Sequence, residues 1–430
     1  MDRTRDKAQG CIVGAAIGDA LGMPAEFVTE NDLKRHYGRI EKFESPLSTH
    51  PLKNLKPGQW TDDTQLLLLA TDSLIDSKGF NIYDFSERLG GWWRRCEKEK
   101  GYNRYASMNT LNACKALYYG TDPYKSGSRS IESDSVVRSI PTGVWYYRSI
   151  EDVVKYSRLS SVPTHNSEET KEACLALALT CTYLLNDLKS EEALKSCLNY
   201  LSHKKLIKRF NIVIDMQEEE PERVKNVLGL GTSVMEVVPF AFYSFLHSPD
   251  NFEDIVLTAV NASGDTDTLG AIAGALGGAY LGISKIPPDF LEQLEAINLL
   301  KNKAVELIEK SNYLKIDFDL KVIKPEDLSI TDRFDNEHEK IKKIIKILEK
   351  EMKKEILKEN PSIQYLGLEL GKELVHHYKD ATLGDIEVCS MLKIKGKRSA
   401  FYVRIEDRGR ASMRFHRAIV KFRDRIEGKE

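Results

Sequence analysis

Two runs of glycine constrain this chain more than anything else in it: Gly10, Gly14, Gly18 and Gly22 near the start, and Gly270, Gly274, Gly278 and Gly282 far downstream. Residues four apart share one face of an α-helix, so each run defines a helix face without side chains. Glycine in a helix interior costs about 1 kcal/mol relative to alanine. Eight of them at this spacing therefore require a compensating gain, and close approach of another backbone supplies one. The spacing predicts two central helices that lie against neighbouring backbones and are candidates to lie against each other.

Between the two runs the helical pattern recurs. Apolar residues fall at helical spacing from Leu66 onward in "DDTQLLLLATDSLIDS", and over Ala173 to Leu188, Ser233 to Leu246, Phe252 to Val260 and Phe290 to Lys310. Alternating strand patterns are nearly absent, so residues 1–325 are expected to form a compact multi-helix, all-α domain. After that the composition changes. Residues 326–360 read as a charged connecting helix with Ile341, Ile344, Ile345, Leu348, Met352 and Ile356 on one stripe, stopping at Asn360-Pro361. Residues 361–430 read as a small basic α+β accessory domain, with strands at "DIEVCSMLKI" and "AFYVRIED" and turns at "KGKRS" and "RGRAS". "MRFHRAIVKF" is left open between strand and helix.

A formal net charge of -2 argues against nucleic-acid binding along the whole length. Residues 391–430, however, carry 13 Lys+Arg against 5 Asp+Glu, interleaved with Phe401, Tyr402, Phe415 and His416. That segment is a candidate docking face for nucleic acid or an acidic partner, with a solvated basic surface as the alternative. The seven cysteines are scattered without a CxxC pair, which fits reduced thiols; Cys174 and Cys181 are expected in the core. Asp19 interrupts the apolar N-terminal run that a signal peptide needs, and Leu269 to Ile283 falls short of the ~20 residues of a membrane span. A cytoplasmic location without a membrane partner is expected.

Chemistry concentrates in two Asp/Thr clusters, each heading an apolar helix: Thr61, Asp62, Asp63 and Thr64 in "PGQWTDDTQ", and Asp265, Thr266, Asp267 and Thr268 in "SGDTDTLG". Capping explains one such side chain per helix. It does not explain two aspartates, whose repulsion needs an offsetting positive charge. A divalent cation with a preference for oxygen ligands supplies it, and the absence of a nearby His or Cys cluster argues against zinc. If the helix starts converge, four aspartates suit a two-metal site.

Five segments occur in the order that characterises the ADP-ribosylglycohydrolases: "GAAIGDALGMPAE", "GQWTDDTQ", "TH" at Thr164 and His165, "GLGTSVMEV" and "NASGDTDTLGAIAGALGGAYLG". Over residues 8–310 the chain resembles that family, which includes the dinitrogenase reductase-activating glycohydrolase. The resemblance implies an all-α fold, two Mg²⁺ ions (Mn²⁺ in some members) and hydrolysis at the ribose C1'' of an ADP-ribosyl group on a protein or other acceptor. By motif position it implies Thr61, Asp62, Asp63, Asp265, Asp267 and Thr268 as metal ligands, with Glu26, Asp265 and Asp267 nearest the reaction. It implies substrate contacts at Ser133, Asp134, Ser135, Arg138, His165, Gly229 and Gly231.

The chain departs from the pattern in three places. Ser133-Asp134-Ser135 stands where the family's phosphate loop carries Ser-Asn-Gly, Thr232-Ser233 replaces a common Gly-Tyr, and no proline follows His165 closely. Tyr102, Tyr105 and Trp60 are candidate replacements for the missing aromatic, although Trp60, Trp92 and Trp93 are expected to pack in the core. Two alternatives stay open at this level: a non-catalytic ADP-ribose-binding module, and a hydrolase of another ribosyl or nucleotide-like bond.

Overall fold

The glycine runs meet. In the computed structural model, which describes residues 3–311 and the backbone of four strands beyond them, the helices Arg3–Gly22 and Thr266–Leu281 lie antiparallel and buried. A Cβ on Gly10, Gly14 or Gly18 would collide with the backbone carbonyl of Gly278, Gly274 or Gly270, and one on Gly22 with that of Thr266. Gly282 acts differently, ending the second helix at a φ of 87 beside the Asp6 carboxylate.

The remaining helices wrap this pair. Those expected from apolar spacing are found at Asp62–Ser77, Glu168–Leu185, Val234–His247 and Phe252–Val260. The Glu168–Leu185 helix buries Cys174 and Cys181, as expected, and Trp60, Trp92 and Trp93 are buried too. One expectation fails: Phe290 to Lys310 is two helices, Pro288–Gln293 and Ile297–Ser311. The break has a structural purpose. Glu295 donates its backbone N–H to Gly58 O at 2.9 Å, and Ala296 takes a φ of 55, so the chain leaves helical geometry to brace the loop before Thr61.

From 3 to 311 the described residues form helices and turns, with two isolated β-bridges. No single helix among them is long and apolar enough to cross a membrane.

By internal contacts the chain divides into Met1–Asn312 and Tyr313–Glu430. The second unit holds a four-stranded sheet of β1 (Phe318–Ile323), β2 (Ile363–Leu370), β3 (Ile386–Ile394) and β4 (Lys397–Ile405), in the order β1-β4-β3-β2. β2–β3 and β3–β4 are antiparallel, while β1 pairs parallel with β4. The expected strand pair within 385–407 is therefore present, but two differences stand out. Strand β1 lies at 318–323, inside the range assigned to the helical domain, because its backbone pairs with β4 from Phe318↔Arg398 to Ile323↔Val403. Strand β4 takes in Lys397, Arg398 and Ser399, expected in a turn, because the ladder continues to Ile394↔Lys397. The helix expected over 326–360, the segment "MRFHRAIVKF" and the basic side chains of 391–430 lie outside the described residues.

Candidate metal centre and active site

The first Asp/Thr cluster is held by groups outside it. Asp19, fully buried on the first helix, accepts from Thr61 N (2.8 Å), Thr64 N (3.0 Å) and Thr64 Oγ1 (2.5 Å). A carboxylate from another helix thus caps Asp62–Ser77, assisted by Thr61, whose hydroxyl accepts from Asp63 N at 3.3 Å. Asp62 and Asp63 are thereby released from capping. The loop leading in is clamped: Arg104 donates to Trp60 O (2.7 Å), stacks over the Trp60 ring and forks onto Glu295.

At the second cluster Asp265 occupies the N-cap position yet makes no side-chain cap bond. It instead accepts from Ser133 Oγ. Asp267 Oδ1 accepts from Thr268 N at 2.8 Å, and Thr266 Oγ1 donates to Gly22 O at 2.8 Å, tying this helix start to the end of the first helix. The two clusters touch directly, because Thr268 Oγ1 donates to Asp63 Oδ2 at 2.9 Å. Convergence, expected from sequence only as a condition, is met.

Glu26 follows the short helical turn Met23–Ala25 and is only 7% exposed, not a solvated loop acid. Its neighbour Phe27 has a φ of 52 and donates its N–H to Gly264 O (2.9 Å), so the Glu26 turn is pinned to the turn entering Asp265. One oxygen each of Glu26, Asp265 and Asp267 lie within 4.8 Å of one another. Glu26 Oε2 is buried without a hydrogen-bond partner. His50 supports the turn: its Nδ1 accepts from Leu52 N (3.1 Å), so Nε2 carries the proton and donates to Glu26 O (3.2 Å). Burial lowers the His50 pKa and favours that neutral form.

These acids act mainly on one another. Burial first, then Asp267, Asp265, Asp62 and Asp63 push the Glu26 carboxyl well above its usual range. Asp62, Asp63 and Asp265 are likewise raised, first by burial and then by neighbouring carboxylates. Burial, with Asp19 next, lifts Asp267 to about 7, and burial lifts Asp19 to about 6. No Lys or Arg ranks among the main influences on any of the six. Six buried acids, none of them ion-paired to a cationic side chain, are a site that either holds protons or holds a cation.

The segments assigned to the substrate are assembled around Asp265. Ser133 N donates to Thr232 O and Val234 N donates to Ile131 O, zipping residues 131–133 onto 232–234. The Gly229–Gly231 stretch lies against Gly264 and the Glu236 side chain. Asp134 accepts from Thr110 Oγ1 (3.2 Å), and Ser135 is buried with its hydroxyl unpartnered. Arg138 is anchored by protein groups. It is fully buried, donates to Ser160 O, Ser161 O and Thr164 Oγ1, and sits over Phe85, so it holds the 160–164 turn. His165 is 0% exposed, and its Nε2 faces Glu132 Oε2 at 3.9 Å.

Sequence reading singled out neither Asp19, Glu132 nor His50 for the site. Asp19 lies inside a quoted motif and Glu132 directly precedes Ser133, but nothing local separates a capping or second-cluster acid from a surface one. Tyr105 is at the mouth: with φ 80 and 40% exposed, its ring meets Phe27 edge-on at 6.4 Å.

A family model described as ADP-ribosylglycohydrolase matches residues 1–315. Over 306 residues the chain is 30% identical to an uncharacterised protein of Archaeoglobus fulgidus, covering 71% of this chain and 96% of that one. It is 28% identical over 310 residues to the ADP-ribosylarginine hydrolase Tri1 of Serratia proteamaculans, covering 70% of this chain and 79% of that one. A solved chain from an ADP-ribosylglycohydrolase-related protein complex superposes with a TM-score of 0.59 at 24% identity, covering 72% of this chain and all of that one.

Proposed function

The chain belongs to the ADP-ribosylglycohydrolase family, and from that premise we propose that it hydrolyses the bond between ribose C1'' and an acceptor, releasing ADP-ribose from a modified protein. The observation that carries the reading is the convergence of Glu26, Asp265 and Asp267 within 4.8 Å, where the turn after Met23–Ala25 meets the buried start of the Thr266–Leu281 helix, with no Lys or Arg paired to them. A binding module has no need of so costly an arrangement.

The residues fit a divalent centre. Asp62, Asp63, Asp265 and Asp267, with the hydroxyls of Thr61 and Thr268, are hard oxygen donors suited to two Mg²⁺ ions, Mn²⁺ being the alternative. Bound there, such ions neutralise the carboxylates and polarise ribose hydroxyls and water. Each carboxylate has a distinct part. Asp265 is oriented by Ser133 and Asp267 by Thr268 N, which leaves the unpartnered Glu26 Oε2 as the group free to take a proton. In hydrolysis the water oxygen bonds to C1'' as the C1''–acceptor bond breaks. One water proton passes to Glu26, and the acceptor leaves with the bonding pair and takes up that proton, directly or through solvent, which restores the carboxylate.

The test is release of ADP-ribose from arginine-linked and serine-linked protein substrates, with and without Mg²⁺, beside an Asp265→Asn, Asp267→Asn variant. Metal-dependent release that falls at least about 100-fold in the variant is expected. Tight ADP-ribose binding with no release from either linkage would replace the hydrolase by the binding module.

A further inference from the structure

Beside the carboxylate centre lies a second group of different composition. One oxygen each of Glu132 and Asp134 and one ring nitrogen of His165 lie within 4.8 Å of one another. We propose that these three side chains form a separate divalent-cation site, selective for a first-row transition ion such as Mn²⁺ over Mg²⁺.

Acidic groups often cluster without an ion, so the histidine decides the matter. His165 is wholly buried; in the tautomer whose Nδ1–H donates to Thr164 Oγ1 at 2.8 Å, Nε2 keeps its lone pair and has no hydrogen-bond partner. That nitrogen faces Glu132 Oε2 at 3.9 Å, too far for a hydrogen bond. Ligand atoms around one ion, each about 2.1 Å from it, stand roughly 3–4 Å apart. The gap is the size an ion fills.

Each prospective ligand also has its own orienting partner. Asn109 Nδ2 donates to a Glu132 oxygen (2.7 Å), Thr110 Oγ1 donates to Asp134 Oδ2 (3.2 Å), and Thr164 sets the His165 ring. Asn109 and Thr110 are consecutive on the Met108–Tyr118 helix, so one rigid element aims both carboxylates. Such outer partners are characteristic of metal-binding side chains. Thr164 Oγ1 is itself held by Arg138, giving the buried guanidinium a role in fixing the ring.

The ligand chemistry separates the two sites. The first offers carboxylates and hydroxyls, which suit Mg²⁺; the second adds imidazole, which favours transition ions. They adjoin, since Ser133, between Glu132 and Asp134 in sequence, donates to Asp265. A cation here also resolves an electrostatic conflict that rests on the hydrolase reading, because Asp134, with Glu132 beside it, otherwise brings negative charge to the loop assigned to phosphate.

The experiment uses the full chain, loaded with Mn²⁺ in excess Mg²⁺, and pulsed EPR for ¹⁴N coupling to the bound ion. Imidazole ¹⁴N modulation is expected in the native protein and in the Asp265→Asn, Asp267→Asn variant. It should vanish in His165→Ala, with Mn²⁺ affinity at least about tenfold weaker in a Glu132→Gln, Asp134→Asn variant. The second variant alters partly exposed residues and stands if His165→Ala fails to fold. Absence of ¹⁴N modulation in the native protein, or unchanged Mn²⁺ affinity and stoichiometry in the Glu132→Gln, Asp134→Asn variant, overturns the site. No substrate is involved, so this outcome is independent of whether ADP-ribose is released.

Discussion

At the scale of single residues, the molecule is organised by carboxylates whose roles differ although their chemistry is the same. Asp19 is a helix cap supplied from another helix, Asp265 and Asp267 are prospective ligands, and Glu26 keeps an unpartnered oxygen over them. Their titration yields a prediction with a definite sign. Burial first, with Asp19 next, raises Asp267 from 3.8 to about 7, and burial raises Asp19 from 3.8 to about 6. Between those values the folded state binds protons that the unfolded chain has released. The stability of metal-free protein should therefore fall as pH rises from about 4 through about 7. Saturating Mg²⁺ should reverse the trend, because metal binding needs the ionised carboxylates. Thermal melts across that range with and without Mg²⁺ check both; a metal-free melting temperature that climbs with pH would refute the assignment. The residue types of the site were legible in "TDDT" and "GDTDT". Asp19 and Glu132 were not, because what distinguishes them is a partner far away in sequence: Thr61 and Thr64 for the first, His165 for the second.

At the scale of elements, the antiparallel glycine helices set the position of everything above. Gly22 meets Thr266 at the level where both clusters and Glu26 converge, so the spacing of this pair fixes the spacing of the site. Gly18→Ala should gain about 1 kcal/mol in helix propensity and lose more, since its Cβ would meet the Gly270 carbonyl and neither backbone can move independently. A net destabilisation of about 2 kcal/mol, with weakened Mg²⁺ binding, is expected in urea unfolding and calorimetry. Gly91→Ala is the control: helical, exposed and with nothing within 4 Å of the added Cβ, it should stabilise by about 0.5–1 kcal/mol. Equal effects at the two positions would remove close packing as the reason for the ladder. The break at Leu294–Ala296 shows where periodicity misleads, because the apolar spacing of 290–310 continues through a segment whose backbone is bonded to Gly58 instead.

At the scale of the whole molecule, the helical unit accounts for the family match. The matched residues end at 315, close to the division after Asn312, and a 306-residue match covers 96% of the Archaeoglobus fulgidus relative. A chain cut after Asn312 should therefore fold, melt cooperatively and bind Mg²⁺ within about threefold of the full chain, under 1 kcal/mol. Loss of binding on truncation would show that the second unit completes the site. The sequence by itself determined the all-α class of the first unit, the glycine faces, the two aspartate clusters and the family, because each is written in local spacing or in ordered motifs. Tertiary structure decided that the glycine faces oppose each other, that Asp19 frees Asp62 and Asp63 from capping, that Arg138 serves the turn behind His165, and that strand β1 joins the C-terminal sheet. The physical reason is common to all four: each depends on which distant backbone or side chain comes within hydrogen-bonding or van der Waals distance, and periodicity along a chain carries no information about that.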